Sequence, residues 1–433
     1  MSALSHTTHP RLAAVLARLD ALVNWERRDR TGGMRRGIEP VLDVLHRLGD
    51  PHTKFRAVHV TGTKGKGTTS ALVAGALTSA GLRTGLYTSP HVTRVNERVR
   101  IDGVDVDDEV LADALERAFV AREAALSEET AGDEATWFDL MTAAAFLVFA
   151  ESECAWAVVE CGIGGRLDST NAVYGEVCVV TNVDLEHVNV LGNTRAEIAR
   201  EKGGIVKRGS TLVTTLWPDP QRGAADDPGS VLEGMAYELD VPVLRPSRPG
   251  ATMWQRNADL ARLVLDELGR RDVRGPSGVR VSAENVPATP ASATSLPGRM
   301  ERLRAGRVPV VLDGAHVASS VRMVLEELSQ DRTLKGPPVV VLALGRDKDA
   351  PAILKTLRER ADRLVCTTVA SGPLRAVETL VEDAHRAGFV AETAADPSDA
   401  LAKALQLAGD GGWLLVIGSF YLAGAVRPLL RSE

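Results

Sequence analysis

The feature that most constrains this chain lies within its first ninety residues. The β-branched run RAVHVTG (56–62) leads directly into glycines. A helical pattern, TTSALVAGALTSAG (68–81), follows and closes on Gly81, and the strand TGLYTSP (84–90) comes next. Strand, glycine loop, helix and strand in that order make a βαβ unit, so its two strands run parallel. A parallel sheet is buried on both faces and needs helices to cover it. The chain must therefore be an α/β protein.

The alternation continues. Strands are predicted at 155–162, 176–183 and 211–215, with helices at 137–151 and 194–206. Thr194 and Glu197 form a capping box for the second of these helices. Two helices, at 11–23 and 38–48, precede the first strand. The segment AENVPATPASATSLPG (283–298), rich in Pro, Ala, Ser and Thr, reads as a hinge. Beyond it, strands at 308–314, 338–345, 363–369 and 412–419 alternate with helical segments, which makes a second, smaller α/β domain. Dividing 433 residues by about 150 per domain gives two or three domains.

Composition narrows the function. With 51 basic and 57 acidic residues the net charge is −6, without the basic surplus of a nonspecific nucleic-acid binder. Aromatic residues, at 4%, are too few for base-stacking platforms. Cys154, Cys161, Cys178 and Cys366 form no CxxC pair and fit neither a zinc site nor a disulfide framework; they read as buried thiols in a reducing cytoplasm. The first 23 residues carry charges throughout, unlike a secretory signal. The longest apolar stretch, near Ala143–Ala150, is far short of the ~20 residues that span a bilayer. The expectation is a cytoplasmic protein with neither nucleic-acid nor membrane partners.

The segment Val60–Thr69 carries the strongest chemical signal. In Gly62-Thr63-Lys64-Gly65-Lys66-Gly67-Thr68, glycines let backbone N–H groups converge on phosphate oxygens, and the following helix adds its positive end. Lys66 is placed to neutralise β- and γ-phosphates, and Thr68 to lie near their Mg²⁺. The loop is a shorter variant of G-x-x-x-x-G-K-[ST]. A GTPase would need N-K-x-D on a later strand; Asn182-Val183-Asp184 lacks the lysine and the spacing. Glu160 ends a strand beside Gly162, where ligands of parallel sheets bind, and is a candidate Mg²⁺ ligand. Ser89 also lies at a strand end, and His187 follows strand 176–183 in the same topological position.

Several blocks, in order, resemble one family: VTGTKGKGTTSAL, LYTSPHVTRVNERVRIDG (86–103), VVECGIGGRLDSTN (158–171) and TNVDLEHVNVLGNTRAEIAREKGGIVK (181–207). They resume at NADLA (257–261), LPGRMER (296–302), LDGAH (312–316), GRDKD (345–349) and GSFYLAGAVR (418–427). The chain resembles the folylpolyglutamate synthase / dihydrofolate synthase family of the Mur ligase superfamily. The resemblance implies a P-loop ATPase domain with a parallel sheet over 1–295 and a smaller Rossmann-like domain over 296–433. It implies that Ser89, Glu160 and His187 hold Mg²⁺. By itself Lys202 reads as a solvated helix lysine; the resemblance makes it a carbamylated ligand of a second Mg²⁺. It places Asn257, Arg299 and Asp313 around ATP, clamped between the domains with Lys66 on one side and Arg299, Asp313 and His316 on the other. Lys66, Lys202 and His316 form the implied catalytic set.

The implied reaction activates an acceptor carboxylate as an acyl phosphate and joins it to L-glutamate. A folate-type acceptor should lie among the loop Gly33–Gly37, Phe138 and the turn Arg166-Leu167-Asp168. Arg35 and Arg36 read either as surface charges or as recognition of extra negative charge on the acceptor. The chain departs from the family in places. Val317-Ala318 replaces Asn-Pro after Asp-Gly-Ala-His, Glu186 replaces Asp before His187, Gly203 replaces Ala, and Asp139 replaces Glu after Phe138. The loop at 32–37 is more basic, and 217–254 is short and lacks a strand-rich insert. Two other readings remain open here: a Mur-type ligase for a non-folate acid, and a noncatalytic ATP-binding protein. A monomer is expected.

Overall fold

The run that opens the βαβ pattern becomes β1 (Arg56–Thr61), with five of its six residues buried. The computed structural model describes residues 7, 9–24, 37–288, 296–370 and 372–432. β1 belongs to an eight-stranded sheet with β2 (Thr84–Tyr87), β3 (Val99–Ile101), β4 (Val104–Asp105), β5 (Trp156–Glu160), β6 (Gly175–Val180), β7 (Thr211–Thr214) and β8 (Val243–Leu244). The order is β4-β3-β2-β5-β1-β6-β7-β8. From β2 to β8 the neighbours are parallel, while β3 and β4 add an antiparallel edge. Val58 lies between Val158 and Val177. Strands covered on both faces need apolar residues at successive positions, which explains the unbroken valine runs.

The helix Lys66–Ser79 carries the chain from β1 past β5 to β2, and the chain later returns to β6 on the other flank of β1. The order reverses around β1, so the loops after β1, β2, β5 and β6 open at the same end of the sheet. The helix Trp137–Glu151 is buried from Trp137 to Phe149. It packs directly on β2, where a Cβ on Gly85 would stand 2.5 Å from the Phe149 ring.

A second unit gathers the described residues of 295–433 together with His91–Val95. Its strands are β9 (Glu301–Ala305), β10 (Val308–Leu312), β11 (Val339–Leu342), β12 (Arg363–Cys366), β13 (Val390–Thr393), β14 (Leu414–Ile417) and β15 (Arg431–Ser432), in the order β13-β12-β11-β14-β10-β9-β15. The first five in that order are parallel, and β9 and β15 are antiparallel additions. Alternate residues feed two cores. Val340, Leu342, Leu415 and Ile417 face one way, and Val339, Val341, Leu414 and Val416 the other.

The structure departs from the sequence reading in detail. The loop helix starts at Lys66, two residues before the expected Thr68, because Gly65 at φ 82° is its N-cap. The expected strands at 84–90, 155–162 and 176–183 stop early, since their last residues turn into the crevice. The short strands β3, β4, β8, β9, β13 and β15 had no clear signal. The stretch 217–254 holds a helix, Pro228–Leu239, opened by the Asp227 carboxylate. The capping box at Thr194 is present, and all four cysteines are buried and free. No helix among the described residues is long and apolar enough to cross a membrane.

His59 is the polar exception inside β1, wholly buried, and burial pushes its pKa down to about 3 from 6.5. Below pH 6.5 the unfolded chain takes up a proton that the folded chain refuses. This contribution to stability is complete above pH 6.5 and is lost as pH falls towards 3, at no more than about 1.4 kcal/mol per pH unit. Urea-unfolding midpoints from about pH 7 to pH 4 should therefore fall less steeply in His59→Gln than in the parent. Parallel slopes would rule the contribution out.

Candidate active site

The glycine loop is held by the end of β6. Gly62 passes so close that a Cβ would lie 1.9 Å from Thr181 Oγ1, and its φ is 146°. Thr63 N–H donates to Asn182 O at 3.0 Å. The Lys64 peptide is gripped on both sides. Its N–H donates to Asn182 Oδ1 at 2.9 Å, and its carbonyl accepts from Asn182 Nδ2 at 2.9 Å and Thr181 Oγ1 at 2.6 Å. A Cβ on Gly65 would stand 2.3 Å from Asn257 Oδ1, so Asn257 abuts the helix start. Lys66 is half-buried, and its Nζ donates to Gly62 O at 2.8 Å. Gly67 is buried and Thr68 half-buried in the first helical turn.

Glu160, the last residue of β5, is 1% exposed and accepts the Ser89 N–H at 3.1 Å. Ser89 itself is buried. His187 sits at φ 46° at the head of a short helix and is exposed. Lys202 overturns the reading of a solvated lysine: it is 1% exposed, and its Nζ donates to Glu186 Oε1 at 2.9 Å. Burial pushes Lys202 down to about 8 against the pull of Glu186. Burial works to raise the Glu186 carboxyl, but the charges of Lys202 and Lys66 outweigh it and hold it below the usual range. The segment is braced. Asp184 N–H donates to Thr63 Oγ1 at 3.0 Å, and Arg195 bridges Asp184 and Asp226 at 2.6 Å each. No three His, Cys, Asp or Glu residues gather as a metal cluster among the described residues. The available donors are carboxylate and hydroxyl oxygens beside a phosphate-type loop, a set that fits a hard ion such as Mg²⁺.

Phe138 is buried, with its ring 6.0 Å from that of Tyr87. It also meets the loop after β5, where a Cβ on Gly162 would lie 2.8 Å from its Cζ. Asp139 works as a cap: it accepts Thr136 N–H at 2.8 Å and Thr136 Oγ1 at 2.7 Å, and takes Ser169 Oγ at 2.7 Å. The Asp168 carboxylate turns onto its own loop, accepting from Ile163 N at 2.9 Å and Thr170 N at 3.0 Å. Burial holds it above the ordinary carboxylate range. Arg166 is exposed and paired with Glu201 at 2.8 Å, and Leu167 is half-buried. Gly33, Arg35 and Arg36 lie outside the described residues.

On the second unit, Asp313 follows β10 and accepts from Met300 N at 2.9 Å and Ala315 N at 2.8 Å. The Arg299 guanidinium lies 5.4 Å from the centre of the Phe420 ring. His316 Nδ1 is 2.8 Å from Gly314 O, so Nδ1 carries the proton and Nε2 is the acceptor nitrogen. Val317 is the N-cap of helix Ala318–Ser329 and makes no side-chain cap bond. Asn then Pro is a favoured helix opening, so Val317-Ala318 weakens a helix start and leaves Asp313 and His316 in place. Sequence reasoning missed Thr181 and Asn182 as holders of the loop. Asn182 was legible only as a failed guanine motif.

Known proteins resemble the chain over most of its length. The Mur ligase, glutamate ligase domain family matches residues 298–420. The chain is 32% identical over 426 residues to folylpolyglutamate synthase of Lacticaseibacillus casei, covering 94% of this chain and 96% of that one. Folylpolyglutamate synthase of Mycobacterium tuberculosis, solved with ADP and AMPPCP, superposes with a TM-score of 0.81 at 26% identity, covering 97% of this chain and 98% of that one. The bifunctional folylpolyglutamate synthase/dihydrofolate synthase of Yersinia pestis, solved with AMPPNP and a Mn ion, superposes with a TM-score of 0.76 at 27% identity, covering 98% of both.

Asn182→Ala releases the Lys64 peptide and should weaken nucleotide binding about tenfold, the worth of one to two net hydrogen bonds. Gly65→Ala should weaken it further, since it meets both the positive φ and Asn257. Titration with a fluorescent ATP analogue reads both, and parental affinity in Asn182→Ala would refute the clamp.

Proposed function

The chain belongs to the folylpolyglutamate synthase / dihydrofolate synthase family, and from that we propose an ATP-dependent ligase that joins a folate-type acid to L-glutamate. The observation that carries the reading is the glycine loop, fixed by Asn182 and lying at the same sheet end as Glu160 and Ser89. The nucleotide phosphates are assigned to the N–H groups of Gly62–Thr68 and the start of the loop helix, with Lys66 neutralising the γ-phosphate. We assign Asn257, Arg299 and Asp313 to the rest of ATP. Ser89, Glu160, His187 and, once carbamylated, Lys202 would hold Mg²⁺, which supplies charge neutralisation at the phosphates.

The acceptor carboxylate attacks the γ-phosphorus, giving an acyl phosphate and ADP. The glutamate amine then adds to the acyl carbon, and the tetrahedral intermediate collapses to the amide with loss of phosphate. The orientation of His316 supports it as the group that takes the amine proton, at Nε2. Phe138 offers an apolar face to a flat pteridine ring. Lys202, buried and pushed down to about 8, holds a neutral fraction near physiological pH, and a neutral amine is the form that combines with CO₂. The proposal also places the enzyme in the cytoplasm as a monomer; four buried free thiols support the compartment.

An ADP-release screen of dihydropteroate, tetrahydrofolate and unrelated acids against a panel of amino acids tests the reading. A pteridine acid with glutamate should stimulate release; failure of every pteridine acid would overturn it. Lys66→Ala should lower turnover on the order of 10²-fold in a folded protein, as for loss of a strong transition-state contact. Chelation with EDTA should stop ADP release and added Mg²⁺ restore it. Crystals grown with Mg²⁺, ATP and bicarbonate should show a carbamate on Lys202, and a bare ammonium there would refute that assignment.

A further inference from the structure

An imidazole in the middle of β1 has no packing reason to be there. Val58 and Val60 flank His59 on a strand whose core is aliphatic, and a buried polar ring is costly unless its nitrogens are used. His59 Nε2 lies 2.9 Å from Thr170 Oγ1 and 3.1 Å from Cys161 Sγ, while Nδ1 is buried with no partner. That asymmetry selects the tautomer. A proton on Nδ1 would leave an orphaned buried N–H, whereas a proton on Nε2 leaves only an unused lone pair, the more tolerable defect. Nε2–H therefore donates to Thr170 Oγ1. Having accepted, Thr170 turns its own hydrogen to Asp168 Oδ1 at 2.5 Å, a shorter contact than the 3.5 Å to Cys161 Sγ. Asp168 in turn accepts the N–H groups of Ile163, Thr170 and Gly162. The hydrogen bonds run from ring to hydroxyl to carboxylate and end on Asp168, which also accepts the loop amides of Gly162 and Ile163.

That loop begins two residues after Glu160, carries Arg166 and Leu167, and touches Phe138 at Gly162. Thr61 Oγ1 ties it down at a second point, donating to Gly164 O at 2.5 Å. We propose that His59 is a positioning residue for acceptor binding, acting through Thr170 and Asp168 to set the loop 162–168. The inference rests on the assignment of Phe138 and this loop to the acceptor acid. Burial keeps the ring neutral, so the chain of donors does not reverse within the pH range of an assay. Glu160 and the glycine loop are held by other bonds, so the nucleotide side does not depend on the relay.

The test uses the full chain with Thr170→Val, which keeps the shape and removes the hydroxyl, His59→Leu, which removes the donor, and His59→Gln, which keeps an N–H. Thermal melts establish that each variant is folded. In Thr170→Val and His59→Leu, KM for dihydropteroate or tetrahydrofolate should rise about tenfold or more, with KM for ATP and kcat within about twofold of the parent. Amide exchange at Ile163 should quicken by a similar factor, and His59→Gln should recover most of both effects. Equal rises in the two KM values, or unchanged acceptor KM in a folded variant, would overturn the proposal and leave His59 a structural residue. If the parent itself turns over no pteridine acid, the functional reading has failed. ¹⁵N-histidine spectra and the exchange at Ile163 still decide the relay, and a proton on Nδ1 would overturn it.

Discussion

The Lys64 peptide, held between the two ends of the Asn182 amide, anchors the nucleotide side of this structure. A glycine-rich loop is useful to phosphates only if its N–H groups already point inward, and glycine by itself gives freedom rather than direction. Direction comes from the neighbouring strand. Asn182 and Thr181 sit just past the end of β6, which pairs with β1 in register up to Thr61 and Val180. The sheet thus transmits its own rigidity into the loop, and Gly62 is required because Thr181 leaves no room for a side chain. The helix start follows directly from that fixed peptide, and Lys66 reaches back to the Gly62 carbonyl.

Charge forms a second layer at the same sheet end. Glu160 and Lys202 are each 1% exposed, which water-solvated groups would resist unless partners compensate. Glu160 accepts an amide from Ser89, and Lys202 donates to the Glu186 carboxylate, so each buried charge has its own partner. The replacement of the family's Asp by Glu186 lengthens that carboxylate by one methylene. The reach is used here to meet Lys202.

The altered acceptor side looks different once Asp139 and Asp168 are seen in place. Asp139 serves the start of its own helix and the Ser169 hydroxyl, and Asp168 serves backbone amides. Val317 likewise changes a helix start on the second unit and not the neighbouring Asp313 or His316. Of the departures, Asp139 and Val317 fall on helix starts, and most of the loop at 32–37 lies outside the described residues.

Local pattern was enough for much of this. The βαβ order, the glycine loop, the capping box at Thr194 and the long apolar helix at 137–151 are written in spacing and side-chain type, and each appears where expected to within three residues at its ends. Two-residue edge strands were not legible, because two residues carry no periodic pattern, and β8 and β15 pair with strands remote in sequence. The burial of Lys202 was invisible for a related reason: its helix is polar in sequence, and its partner Glu186 comes from another loop. The grip of Asn182 on Lys64 spans 118 residues, and the link from His59 to Thr170 spans 111. Sequence determined which elements form and which chemistry the loop can carry, since these follow from neighbours along the chain. Tertiary structure alone decided which polar groups are buried and what they hold, because desolvation and hydrogen bonding depend on neighbours in space.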